Sequence, residues 1–111
     1  IEMRKTTLGE DHPETLSSMA NLASTFWNQG RWAEAERLFI QVIETRKTKL
    51  GEDHPDTLTS MANLACTYWA LSRAKDAKAL MRHCIQLQRV KLGASHPQYL
   101  SAAETLAQWE T

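Results

Sequence analysis

The hexapeptide Leu8-Gly-Glu-Asp-His-Pro13 returns as Leu50-Gly-Glu-Asp-His-Pro55 and, altered, as Leu92-Gly-Ala-Ser-His-Pro97, each copy 42 residues after the last. The residues that follow continue in parallel, Glu14-Thr-Leu-Ser-Ser-Met-Ala-Asn-Leu-Ala23 against Asp56-Thr-Leu-Thr-Ser-Met-Ala-Asn-Leu-Ala65. The period therefore marks a structural unit and not a chance motif. Ile1-Glu-Met-Arg-Lys5 matches Ile43-Glu-Thr-Arg-Lys47 one period later, so the chain is expected to open inside the tail of an earlier unit, as a fragment of a longer protein. The expected organisation is residues 1–7 as that tail, 8–49 and 50–91 as two full units, and 92–111 as a partial third with a single helix.

Within a unit, Leu16, Met19, Leu22, Ala23 and Phe26 form a helical stripe that ends before Gly30. Ala35, Leu38, Phe39, Val42 and Ile43 form a second stripe, in a helix running to about Lys49. Proline at the first helical position gives up only an N–H that has no intrahelical partner, so Pro13, Pro55 and Pro97 read as helix starts. Asp11, Asp53 and Ser95 stand just upstream as acceptors for free N–H groups, and Glu14 and Asp56 place negative charge in the first turn. Ser72 replaces Gly30 in the second unit, where a less tightly made turn is expected. One helix pair cannot bury its one-sided stripes alone, so successive pairs must stack, as in an α-solenoid.

Thirteen Lys plus Arg balance thirteen Asp plus Glu, and hydrophobic residues make up 42% of the 111-residue chain, the composition of an ordinary globular domain. This balance lacks the basic excess behind non-specific nucleic-acid binding and the polybasic stretch that holds an anionic membrane. No apolar run approaches a membrane span, and the first residues lack the apolar core of a signal peptide. Two cysteines, Cys66 and Cys84, are too few for a disulfide framework, which points to a reducing, cytoplasmic setting. Phosphate-binding, dinucleotide, zinc-protease and serine-hydrolase motifs are all missing, so no catalytic residue and no cofactor is expected.

Leu22-Ala23, Phe26, Gly30, Ala35, Phe39 and Val42 have the spacing of the tetratricopeptide consensus, repeated as Leu64-Ala65, Tyr68, Ser72, Ala77, Met81 and Cys84. The chain resembles that family, in the 42-residue form with the Leu-Gly-x-x-His-Pro-x-Thr-Leu link found in kinesin light chains. Its near-identical copies resemble most the arrays of fungal and bacterial NLR-like signalling ATPases. The resemblance implies an all-α fold, a right-handed superhelix of antiparallel helix pairs, acting as a non-catalytic module that binds a protein or peptide segment in its concave groove. An alternative is a structural or regulatory array that self-associates through its ends or contacts other domains of its parent. The apolar face of the last helix, with Ala103, Leu106 and Ala107, is expected to be partly uncovered and met by a second copy.

In such arrays the first helix of each unit lines the groove, and the asparagine before the Leu-Ala pair bonds a peptide backbone; here these are Asn21 and Asn63. Ser24, Trp27, Asn28, Cys66, Trp69, Thr105 and Gln108 fall on the same face by register, with no lysine or arginine among them. A neutral groove of amides, hydroxyls and indoles suits backbone contacts and apolar or aromatic anchors. Trp27 and Trp69 serve equally well as ligand platforms or as packing against the next unit, whereas Trp32 in the turn reads as structural. His12, His54 and His96 repeat in phase, but equivalent residues of successive units lie too far apart to share one zinc ion, so a role at the helix start is expected and no metal site. His83 reads as solvated or packed, Cys84 as core and Cys66 as partly exposed. Glu34, Glu36 and Glu44 stand at helical spacing for pairing with Arg31, Arg37 and Lys47.

Overall fold

The structure, a computed structural model, describes residues 13–110, with side chains from Thr15 onward. The tail 1–7, together with Asp11 and His12 and the side chain of Glu14, lies outside the described residues. Five helices follow one another, α1 (Pro13–Asn28), α2 (Trp32–Leu50), α3 (Pro55–Ala70), α4 (Ala74–Leu92) and α5 (Pro97–Glu110), with no strand among the described residues. Each packs on the next in the chain, giving an all-α solenoid of 44 × 30 × 19 Å.

The stripes read from the sequence form the core. Ala23 of α1 and Ala35 of α2 are completely buried, and their small side chains let the two helices approach. Phe39 and Ile43 of α2 fill the space toward Leu58, Met61 and Leu64 of α3, where Cys84 of α4 joins them. A second cluster of Ala65, Met81 and Ala102 carries the packing on to α5, with Leu106 and Trp109 against it. Leu106 is thus half-buried against its own chain, while Ala107 is exposed and Leu100 keeps 51% of its surface.

The prolines start α1, α3 and α5 as expected. The acceptors at α3 and α5 are different from those expected: the His54 ring takes the Asp56 N–H on Nδ1 at 3.1 Å, and the His96 ring takes the Gln98 N–H at 3.1 Å. Asp53 and Ser95 make no cap bond. Histidine directly precedes proline, in extended backbone at His54 (φ −64°, ψ 138°), which aims its ring at the first free donor after the proline.

The two turns inside the units are equally tight, against the expectation for Ser72. In the first, Gly30 N–H bonds Trp27 O at 3.0 Å and Arg31 N–H bonds Phe26 O at 2.8 Å; in the second, Ser72 bonds Trp69 O at 3.1 Å and Arg73 bonds Tyr68 O at 2.9 Å. This pair of bonds is the Schellman closure, which requires a left-handed residue; Gly30 has φ 79° and Ser72 accepts φ 65°. Arg31 and Arg73 then lie over the Phe26 and Tyr68 rings, each guanidinium 4.3 Å from the ring centroid. Trp32 is structural as read, its indole N–H donating to Trp27 O at 3.1 Å.

Charged residues pair between units more than along helices. Arg31 does pair with Glu34, whose carboxyl it holds below the ordinary range. Glu36, however, meets Arg73 of the next unit at 2.7 Å, and Lys47 approaches Glu52 of the link at 3.8 Å and makes no pair with Glu44. His83 meets the same Glu52 at 2.9 Å, tying the link to α4. Arg46 reaches from α2 to Ser60 Oγ at 2.7 Å and to Asp56 O at 3.3 Å.

Candidate functional site

Helices α1, α3 and α5 present their recurring polar face as a groove with two depressions. The first, ≈ 230 Å³, is lined by Ser24, Trp27, Asn28, Phe39, Asn63 and Cys66. The second, ≈ 210 Å³, lies between α3 and α5 over a floor from α4: Thr59, Asn63 and Cys66 on one wall, Gln98, Ser101 and Thr105 on the other, Met81 and Gln88 beneath. Asn63 and Cys66 belong to both, so they stand on the ridge between them. A larger cavity of ≈ 440 Å³, lined by Ile40, Tyr68 and Leu80 among others, shares no residue with this groove.

Five of the residues picked out by register, Ser24, Trp27, Asn28, Asn63 and Cys66, therefore meet in the first depression, and Thr105 meets Asn63 and Cys66 in the second. Asn21 and Gln108 are exposed and line neither. The side-chain amides of Asn21 and Asn63 form no hydrogen bond among the described residues. Their backbone carbonyls take the hydroxyls of Thr25 (3.0 Å) and Thr67 (2.9 Å), so each amide projects from a closed helical turn.

The tryptophans part company. Trp69 stacks on Trp109, ring centroids 4.8 Å apart and planes within 7°, so the packing role is realised there even though Trp69 keeps 39% exposure. Trp27, 38% exposed, has no such partner among the described residues and lines the first depression. Cys66 is half-buried and its thiol is pushed up by that burial, while Cys84 is fully buried, donates to Leu58 O at 3.3 Å and is pushed up to about 12. Neither has the electropositive setting that makes a reactive thiolate. No cluster of metal-ligating side chains exists among the described residues.

Register missed the floor. Phe39, Met81 and Gln88 come from α2 and α4, and Gln98 from the first turn of α5. A signal existed for Gln88: Ala77, Met81 and Cys84 continue at helical spacing to it, so an amide occupies a position where the stripe calls for an apolar side chain.

No helix among the described residues is long and apolar enough to cross a membrane. A family profile for the tetratricopeptide repeat matches residues 1–48 and 21–89. Among solved structures, the chain is similar to nearly identical TPR-like repeats assigned to a kinesin light chain of Podospora anserina, with TM-score 0.89 and 30% identity over 97% of this chain and 51% of that one. A glutamine-to-methionine variant of the same repeats matches with TM-score 0.83 at 30% identity, again over 97% and 51%. This chain thus spans about half the length of those structures. No curated protein sequence matches it. The profile and the fold together place the chain in the tetratricopeptide repeat family, whose repeats are in general protein-interaction modules and typically non-catalytic.

Proposed function

We propose that this chain binds an extended protein segment along the face of α1, α3 and α5, with residues 8–49 and 50–91 as its two full repeats. The observation that supports this best is the pair of unbonded amides, Asn21 and Asn63, standing one period apart on that face, with Asn63 on the ridge between two depressions. An amide offers both a donor and an acceptor, so it can hold a peptide group whatever side chain the segment carries. Trp27, which keeps 38% exposure, offers an apolar and aromatic anchor beside it. The parent is proposed to be a cytoplasmic signalling or scaffold protein, in the manner of NLR-like ATPases that carry such arrays.

The test is selection of unstructured peptides from a phage library on the folded protein, followed by the double variant Asn21→Ala/Asn63→Ala. Binding is expected to weaken by roughly tenfold or more at unchanged helicity, the loss of one or two good hydrogen bonds. Binders indifferent to both substitutions would reject the groove.

A second reading, end-to-end association with another copy, is favoured by Leu100 and Ala107 on the outer side of α5. It calls for sedimentation velocity over a concentration series: a rising sedimentation coefficient that Leu100→Glu abolishes supports it, and a constant monomer removes it.

A further inference from the structure

We propose that the cavity between α2 and α4, on a surface apart from the groove, docks an amphipathic helix of a partner protein whose flanks carry lysine or arginine.

This cavity, ≈ 440 Å³, is about twice the size of either depression of the groove. Its long walls run side by side in one direction. Glu36 of α2 meets Arg73 at the head of α4 at 2.7 Å, and further along Lys47 of α2 and His83 of α4 both reach Glu52, at 3.8 and 2.9 Å. Ile40 and Lys47 line the α2 wall two turns apart, about 10 Å along the axis. Ile40 is 37% exposed and Ala79 is exposed, while Tyr68 and Leu80 are half-buried above a closed floor of Met61 and Leu64. An apolar trough rimmed by charge is the surface form of a docking site.

The lining decides what kind of segment fits. Apart from the charged rim and the Tyr68 hydroxyl, the described lining offers no hydrogen-bonding side chain. An extended segment laid here would leave its peptide groups unpaired, whereas a helix brings its own hydrogen bonds and needs only an apolar stripe to set against Ile40, Tyr68 and Leu80. The rim decides the flanks. Arg73 divides one positive charge between Glu36 and Asp76, at 2.7 and 3.0 Å, Lys47 stands 3.8 Å from Glu52, and Glu44 has no ion pair among the described residues. Two cations thus face four carboxylates, and His83 adds a charge only when protonated. That acidic excess favours a basic helix.

The next unit shows how such a place is closed. Ile40 and Tyr68 correspond to Arg82 and Glu110 one period later, and those two pair with each other across α4 and α5. At the first join two apolar side chains stand where the second has an ion pair, and the trough stays open.

The probe is the capped peptide Ala-Lys-Leu-Ala-Ala-Lys-Leu-Ala-Ala-Leu-Lys-Ala-Lys, with a counterpart carrying glutamate for every lysine. Each is titrated into the isotope-labelled chain and followed by side-chain methyl and amide resonances. The lysine peptide is expected to shift Ile40 and Leu80 saturably and, in low salt, to bind at least roughly tenfold more tightly than the glutamate peptide. Glu44→Lys changes an exposed side chain and should weaken the lysine peptide by roughly fivefold. Ile40→Arg/Tyr68→Glu rebuilds the ion pair of the second join and should weaken it by roughly tenfold or more, with helicity kept. Should that variant lose helicity, Ile40→Arg alone carries the test. Asn21→Ala/Asn63→Ala should leave this peptide unaffected, since groove and trough share no residue, so either surface can fail without the other. Equal binding of the two peptides, no saturable shift at Ile40 and Leu80, shifts at the Asn21 and Asn63 amides instead, or binding that survives Ile40→Arg overturns the docking surface.

Discussion

A ring nitrogen that closes a helix end is an acceptor only while it carries no proton, and both described links use one. His54 and His96 each satisfy the first donor after proline, so removal of either ring leaves that N–H to water. His96→Ala should lower stability by about 1 kcal/mol, and His96→Asp, which restores an acceptor at the same place, should recover most of it in thermal melts. The thiols make a contrasting pair. Burial raises both, so Cys66 should react with iodoacetamide several-fold more slowly than a free cysteine at pH 8, and Cys84 only when the protein is unfolded, as mass spectrometry of the labelled peptides would show. At this scale the lining of the candidate groove was legible where register along each of α1 and α3 decides it. Ser24, Trp27, Asn28, Asn63 and Cys66 share a face by helical geometry, and they do meet. Gln88 and Gln98 escaped because they come to the second depression from α4 and the first turn of α5, and register along α1 and α3 is silent on that.

Each turn between paired helices closes on one left-handed residue, and the two copies differ there by the hydroxymethyl side chain of Ser72. Ser72 at φ 65° carries a strain that Gly30 avoids, so Ser72→Gly is expected to stabilise the chain by about 1 kcal/mol, read as a higher denaturation midpoint. Gly30→Ala should cost a similar amount by the same measurement. Helix starts were legible because proline and histidine act on their immediate neighbours, although the identity of the capping atom was not: Asp53 has the better acceptor by type, but His54 occupies the position. Ion pairs were read as contacts along a helix, since spacing exposes only those. Glu36 turned instead to Arg73, because stacking brings successive units side by side. At the link, the His83 ring bonded to Glu52 holds that carboxyl below its ordinary range. That contact therefore favours the folded state above the carboxylate range, and its contribution fades as pH falls through it.

In the whole molecule every helix leans on its sequence neighbours, so stability is a sum of local terms and interfaces. Leu58 of α3 lies completely buried at the join of the two units. Leu58→Ala should cost about 3 kcal/mol, and amide exchange should quicken in α2 and α4 together, since both face the cavity it leaves. An exchange change confined to α3 would contradict this picture of coupling. A chain written almost twice also faces a hazard: any unit resembles its neighbour closely enough to take its seat, within one molecule or between two. Trp109 is the side chain that breaks this equivalence, for it has threonine at both corresponding positions, Thr25 and Thr67, and stacks on Trp69 alone. The aromatic pair therefore acts as an address, marking the join between α3 and α5 and penalising a chain that folds one unit out of step.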